Sequence, residues 1–185
     1  MTGWIILGIV VVVALWAIYA FNRFVTLTNR VKEAWSDIDI QLKRRYDLIP
    51  NLVETVKGYA GHESGTLAKV TEMRTRAMNA TTPTDKSAAE NMLSGALKTL
   101  FAVSENYPNL RANENFVELQ NELSDTENKI QAARRFYNST VQDLNTGLQV
   151  FPSNLIGSTF GFTPRDFFQL GENEQAAKEP VKVSF

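Results

Sequence analysis

Residues 44–63 read Arg-Arg-Tyr-Asp-Leu-Ile-Pro-Asn-Leu-Val-Glu-Thr-Val-Lys-Gly-Tyr-Ala-Gly-His-Glu, and their spacing determines the fold expected for the whole chain. Two neighbouring rows repeat at seven-residue steps through this stretch: Trp35, Leu42, Ile49 and Val56, and Val31, Ile38, Arg45, Leu52 and Tyr59. Two adjacent, mostly apolar rows are typical of a helix that buries a seam in a bundle. Pro50 lies inside the pattern without shifting it, so we expect a kink, or a restart capped by Asp47.

The N-terminal segment is apolar from Trp4 to Phe21 and carries no charged side chain there. Its length is just that of a helix that crosses the hydrocarbon core of a bilayer. The alternative is a cleaved signal peptide, which the uncharged start of the chain and the lack of a small-x-small cleavage site disfavour. Arg23, Arg30 and Lys32 follow the apolar run, so the positive-inside rule predicts an outside N-terminus and a cytoplasmic main domain.

The first helix is expected to run from residue 4 to about 58, because no turn signal follows Phe21. Gly58, Gly61 and Gly65 surround His62 and predict a turn there. The alternative is that this helix continues through the glycines to Asn79.

Three further helices are predicted. The second helix covers residues 67–78 and is followed by a loop at 80–85. The third helix begins at Ser87-Ala-Ala-Glu90, which has the spacing of a capping box, and it ends at Tyr107-Pro108. Asn113 or Asn115 caps the fourth. Its apolar residues recur every seven positions: Phe116, Leu123, Ile130, Tyr137, Leu144 and Phe151.

The lengths of these helices predict an all-α fold, in which an N-terminal transmembrane helix continues into a long antiparallel four-helix bundle. Helix 4 then returns to the membrane. Four segments follow from this reading: a transmembrane anchor (1–22), the bundle (23–151), an irregular aromatic-rich segment (152–170), and a flexible tail with a strand-like end (171–185).

The stretch at 44–63 resembles the signature of the LemA family, and the resemblance covers nearly the whole chain in the family's order. It implies a helical membrane protein of the bacterial inner membrane, and it does not imply an agreed biochemical activity. LemA-like proteins include ones tied to building magnetosome membranes. The other matching motifs are Asn113-Glu-Asn-Phe116, Thr126-Glu-Asn128, Arg134-Arg-Phe-Tyr-Asn138 and Phe151-Pro-Ser-Asn-Leu155.

Composition argues against most chemical functions. Lys and Arg number 19 against 20 Asp and Glu, so no net field favours nucleic acid. The chain has no cysteine and one histidine, which makes a multi-ligand metal or haem site improbable. His62-Glu63 is interpreted as a surface turn. We therefore expect no enzyme activity, no cofactor and no small-molecule substrate.

Two non-enzymatic functions remain. The first is a membrane-anchored scaffold that self-assembles into a homo-oligomer and organises or remodels the bilayer. The alternative is an adaptor that binds membrane proteins or proteases through its C-terminal segment. Size-exclusion chromatography or electron cryo-microscopy of the detergent-extracted chain separates the two, because only the first needs a large, ordered homo-oligomer.

The sequence also predicts a register for helices 1 and 4. Arg45 occupies a position in an apolar row, where an unpaired charge is costly. An antiparallel arrangement brings it close to residue 126, so its predicted partner is Glu122, Asp125 or Glu127. The same register places two further arginines opposite two aspartates: Arg134 and Arg135 opposite Asp37 and Asp39.

Two C-terminal groups are predicted to bind membrane or protein. If helix 4 returns to the membrane, the aromatic residues Phe160, Phe162, Phe167 and Phe168 lie in the lipid interface or against a neighbouring subunit. The last residues alternate, so that Val181, Val183 and Phe185 lie on one side of an extended strand. We expect this end to add to a sheet edge or groove of a partner, or else to fray.

Overall fold

The computed structural model describes residues 1–168, which are helical over most of their length and contain no strand. The all-α prediction is therefore confirmed. The predicted strand-like residues Val181, Val183 and Phe185 lie outside the described residues. Six helices follow one another: α1 (Thr2–Tyr59), α2 (Ser64–Asn79), α3 (Pro83–Ser104), α4 (Pro108–Arg111), α5 (Glu114–Gln149) and α6 (Ser153–Thr159).

Helix α1 continues through Pro50, so the predicted restart capped by Asp47 is wrong. A proline has no N–H and therefore leaves the carbonyl four residues earlier without its helical donor. Here that carbonyl belongs to Tyr46, and it accepts a hydrogen bond of 2.8 Å from Arg74 Nε of α2. The side chain of a second helix thus replaces the bond that Pro50 removes.

The glycine-rich turn forms where it was predicted. α1 ends at Tyr59 and α2 begins at Ser64, so the alternative of one helix to Asn79 is wrong. The glycines at 58 and 65 have open space around them, and the turn is closed by backbone hydrogen bonds from Ala60 to Val56 and from Glu63 to Ala60.

The start of α3 differs from the prediction. The helix begins at Pro83, and the Thr82 hydroxyl accepts a hydrogen bond from the backbone N–H of Asp85. A threonine cap followed by proline at the first helical position is a strong start signal, and it lies five residues before the predicted capping box. Ser87 and Glu90 are consequently buried inside the helix and do not cap it.

Of the two residues predicted to cap α5, Asn113 is the one that does so. Asn113 Oδ1 accepts a hydrogen bond of 3.0 Å from Phe116 N, as an N-cap side chain does. The short helix α4 between α3 and α5 was not predicted. α5 ends at Gln149, so Phe151, the last member of the predicted heptad row, lies beyond the helix and is exposed.

The contacts divide the chain into two compact units. The first contains residues 1–37 and 133–166, and the second contains residues 38–132 together with the chain from 167 onward.

In the second unit, the last part of α1 contacts α2, α3 and α5. Asp39 pairs with Lys86 and Arg45 with Glu90, so residue numbers rise together along α1 and α3 and the two helices are parallel. Arg44 pairs with Glu122 in the first quarter of α5, whereas Tyr59 contacts Asn113 just before its start, so α5 is antiparallel to α1. The fully buried side chains of this unit include Ile38, Leu42, Ile49, Leu52, Leu93, Leu100, Leu110, Phe116 and Ile130.

In the first unit, the chain after α5 folds back onto α1. The segment after Phe151, predicted to be irregular, contains the helix α6 and then a stretch without regular secondary structure. Asn145 of α5 holds this stretch through the backbone of Arg165: its Oδ1 accepts from Arg165 N, and its Nδ2 donates to Arg165 O, both at 2.9 Å. Tyr137 adds a hydrogen bond of 2.9 Å to the carbonyl of Asp166.

Candidate functional site

The second unit contains a buried charge cluster, which we name the Arg45 cluster: Arg45, Tyr46, Glu90 and Glu127. The Arg45 side chain is 4% exposed. Its Nη1 lies 3.3 Å from Glu90 Oε2 and 2.9 Å from Glu127 Oε2, and its Nη2 donates to Ser94 Oγ at 2.8 Å. The cation is therefore held by carboxylates from α3 and α5 at once.

The carboxylate of Glu90 is equally buried, at 2% exposure. Besides Arg45 it accepts a hydrogen bond from the Tyr46 hydroxyl. Burial raises the pKa of Glu90 above its ordinary value, against the opposing effects of Arg45 and Tyr46. Burial and the neighbouring Glu90 charge likewise raise the pKa of the Tyr46 phenol. Nearby, Lys86 of α3 donates to Asp39 of α1 at 3.0 Å.

The Arg45 cluster is a buried ion pair whose charged groups bind other groups of the protein. Arg45 and the Glu90 carboxylate each have protein partners, and the partners come from three helices. Such a pair contributes little net stability, because the attraction between the two charges is offset by the cost of removing both from water. Within residues 1–168, no group of histidines and carboxylates is arranged to hold a metal ion.

The three predicted partners of Arg45 have different neighbours. Glu127 lies beside Arg45, Glu122 pairs with Arg44, and Asp125 lies 2.7 Å from Lys129 on its own helix. Sequence reasoning missed Glu90, which was taken for part of a helix cap. The signal that would have found it is the Thr82-Pro83 start, because that start places Glu90 two turns inside α3.

The other predicted ion pairs stay predictions. Arg134 is buried and Arg135 is exposed, whereas Asp37 is exposed and Asp39 is half-buried beside Lys86.

The first unit contains a second candidate site, the aromatic cluster: Phe21 and Phe24 of α1 with Phe160 and Phe162. The Phe21 ring centroid lies 4.9 Å from that of Phe160 and 5.7 Å from that of Phe162. Phe24 stacks on Phe162 at 5.2 Å.

Two glycines allow close packing around Phe24. A Cβ at Gly147 would lie 3.2 Å from the Phe24 ring, and one at Gly157 would lie 2.6 Å from Leu148 Cδ2. α6 and the end of α5 can approach α1 because these two positions have no side chain.

The predicted aromatic interface residues separate into two kinds. Phe160 and Phe167 are exposed and Phe162 is half-buried, so these three remain candidates for contact with lipid or protein. Phe168 is 1% exposed in the single chain, and its predicted interface role stays a prediction. A large apolar side chain of this kind is stabilised by burial within its own fold.

The N-terminal part of α1 meets the length and composition of a membrane span. It contains an 18-residue window with a mean hydropathy of 2.6, and 6% of that window is buried. Among residues 1–168 it is the one helix long and apolar enough to cross a membrane. An apolar core helix would be mostly buried.

Comparison with known proteins gives the family. The LemA family profile matches residues 34–185, which include every element after the first half of α1. The chain belongs to the LemA family. A LemA protein of Metamycoplasma hominis is 27% identical over 158 residues, which are 83% of this chain and 71% of that protein.

Two more distant relatives are magnetosome proteins by name. MamQ 2 of Paramagnetospirillum magneticum is 23% identical over 175 residues, and MamQ of Magnetospirillum gryphiswaldense is 21% identical over 174 residues. In both cases 80% of this LemA-family chain is covered, but only 64% of the relative.

Proposed function

We propose that this LemA-family chain is a membrane-anchored helical scaffold: α1 crosses the bilayer once, and the helices that follow carry the interactions. The observation that carries the proposal is the exposed apolar window of α1, which continues into the second unit without a break in the helix.

The proposed orientation places the N-terminus outside and the later helices in the cytoplasm of a bacterial cell, at the inner membrane. Arg23, Arg30 and Lys32 support this orientation, because cytoplasmic flanks of spans carry an excess of positive charge.

The orientation can be tested with single cysteines, because the chain has none of its own. Thr2→Cys should react with a membrane-impermeant maleimide in spheroplasts, whereas His62→Cys, at the exposed turn, should react only after the membrane is disrupted. The reverse pattern would contradict the orientation. Release of the intact chain by alkaline carbonate would contradict the anchor itself.

Self-assembly and membrane organisation form the finer part of the proposal. The similarity to proteins named for magnetosomes supports a role at membranes, and exposed apolar side chains outside the span supply surface for association.

Self-assembly predicts that detergent-extracted chains form particles of several copies by light scattering. Phe167→Ser should lower the oligomeric share, because Phe167 is an exposed aromatic residue in the predicted interface segment. Val117→Ser removes a similarly exposed apolar side chain from α5 and serves as the matched control. Single chains at every protein concentration would overturn self-assembly and leave the anchor intact.

A further inference from the structure

A second membrane-contacting surface is suggested by the exposed side chains around α6. Four apolar residues of the first unit are exposed, and we name them the α6 patch: Val150, Phe151, Leu155 and Phe160. Phe151 is 79% exposed and Leu155 is 54% exposed. Contiguous exposed apolar residues of this kind mark contact with a partner or a membrane.

The position of the α6 patch favours lipid. The Phe160 ring contacts the ring of Phe21, which is the last residue of the apolar run that begins at Trp4. Phe21 therefore lies at the end of the proposed span, and Phe160 lies at the same depth. Phe and Leu side chains of interfacial helices are buried at that depth, where the hydrocarbon core meets the headgroups.

The charge pattern agrees with this depth. No Asp, Glu, Lys or Arg occurs from Leu144 to Pro164, and the stretch is bounded by Asp143 and Arg165. On α1, the first charged residue after the span is Arg23. An uncharged segment beside the end of a span avoids the cost of bringing charges towards hydrocarbon.

The hydroxyl groups of α6 already have acceptors within the chain. The hydroxyls of Ser158 and Thr159 donate to the carbonyl of Leu155, at 3.1 Å and 2.7 Å. The hydroxyl of Ser153 donates to the carbonyls of Gly147 and Val150. A hydroxyl that already has an acceptor costs less to remove from water than a free one.

We propose that the α6 patch enters the interfacial layer of the bilayer that α1 spans, giving the chain a second, non-spanning contact with phospholipid. The inference rests on the proposed anchoring and adds to it the residues that touch lipid. Phe162, packed on Phe24, is a support of this surface and not part of it.

The test uses the full chain with one cysteine, labelled with the environment-sensitive fluorophore NBD and reconstituted in phosphatidylcholine–phosphatidylglycerol vesicles. The vesicles contain lipids with a nitroxide quencher placed either near the headgroup or near the end of the acyl chain. Leu155→Cys reports on the α6 patch and Ile9→Cys on the span. Met92→Cys is the matched control, because Met92 is an exposed apolar residue on a helix of the second unit.

We expect the probe at Leu155 to lose fluorescence to the shallow quencher more than to the deep one, and the probe at Ile9 to show the reverse. The probe at Met92 should be affected by neither. Phe151→Ser, at a side chain that is almost fully exposed, should weaken shallow quenching at Leu155 while leaving helix content unchanged.

Each other outcome is decisive. Quenching at Ile9 without quenching at Leu155 overturns the α6 contact and leaves the anchor standing. A blue-shifted probe at Leu155 that lipid quenchers do not reach means that another copy of the chain covers the patch, which also overturns the inference. No quenching at Ile9 overturns the proposed anchor, and the α6 contact with it.

Discussion

At the scale of single residues, Arg45 places a positive charge in the apolar seam of α1. A cation with 4% exposure is tolerated because Glu90 and Glu127 approach it from two helices and Ser94 accepts a further hydrogen bond. Replacing such a pair by apolar groups can be neutral, but removing one partner leaves the other charge buried.

Arg45→Ala should therefore destabilise the chain by about 3–5 kcal/mol, because Glu90 stays buried without its cation. Lys43→Ala is the control: Lys43 pairs with Asp47 on an exposed face of the same helix, and exposed pairs contribute little. Thermal unfolding followed by circular dichroism measures both. Equal melting temperatures for the two variants would show that the buried pair contributes no more to stability than the exposed pair.

Glu90 makes stability depend on pH. Its pKa is raised by burial, so the native chain keeps the proton to higher pH than the unfolded chain does. The stability that Glu90 contributes is then greatest below its ordinary value of 4.5 and falls as the pH rises through the raised native pKa. The facing groups are Arg45 and Tyr46 of α1, Lys86 of α3 and Glu127 of α5.

Glutamine does not titrate, so the unfolding free energy of Glu90→Gln minus that of the wild type should increase as the pH rises above 4.5. Denaturant titrations over a pH series measure this difference. Glu118→Gln makes the same chemical change on an exposed face of α5 and serves as the control. A stability difference that decreases as the pH rises would contradict the raised pKa of Glu90.

At the scale of helices, α2 supplies the hydrogen bond that α1 loses at Pro50. The carbonyl of Tyr46 loses its helical donor at Pro50 and gains Arg74 Nε. This hydrogen bond is part-buried and has a charged donor, a kind of bond that contributes about 1.5–3 kcal/mol. The proline is thus tolerated through tertiary structure and not through local propensity.

A double-mutant cycle tests this dependence. Arg74→Met should destabilise the wild type by about 1.5–3 kcal/mol, and it should cost less in a Pro50→Ala background, where residue 50 again supplies an N–H. Arg76→Met, on an exposed position of the same helix, should cost little in either background. An identical cost of Arg74→Met in both backgrounds would remove the link between the two residues.

The packing of α6 depends on Gly157, where even a Cβ would lie 2.6 Å from Leu148. Gly157→Val should overpack this contact and the neighbouring Phe24 ring, at a cost of about 1–3 kcal/mol. Gly95 lies in α3 with open space around it, so Gly95→Val is the matched control. Faster proteolysis between residues 150 and 168 in the Gly157 variant alone is the expected result; equal cleavage of the two would contradict it.

At the scale of the whole molecule, the repeating apolar rows predicted the helices well. Ile38, Leu42, Ile49 and Leu52 are buried, as a seven-residue repeat requires, and the turn near Gly61 lies where the glycines indicated. These features depend on local sequence, which periodicity reports directly.

The features that sequence reasoning missed depend on neighbours far along the chain. Glu90 acquires its role only because α3 starts at Pro83 and turns that carboxylate towards Arg45. Phe168 is buried although its local sequence is typical of an exposed aromatic segment. Neither fact can be read from a window of residues around the position itself.

The hydrogen bonds of Asn145 have a consequence for the order in which the chain acquires its structure. Asn145 binds the backbone N–H and carbonyl of Arg165, so α5 can hold the stretch after α6 with any residue except proline at position 165. During synthesis α5 is complete before that stretch leaves the ribosome, since chains are made from the N-terminus. Tyr137 and Asn145 of α5 are therefore already made when the backbone of residues 165 and 166, which they bind, emerges.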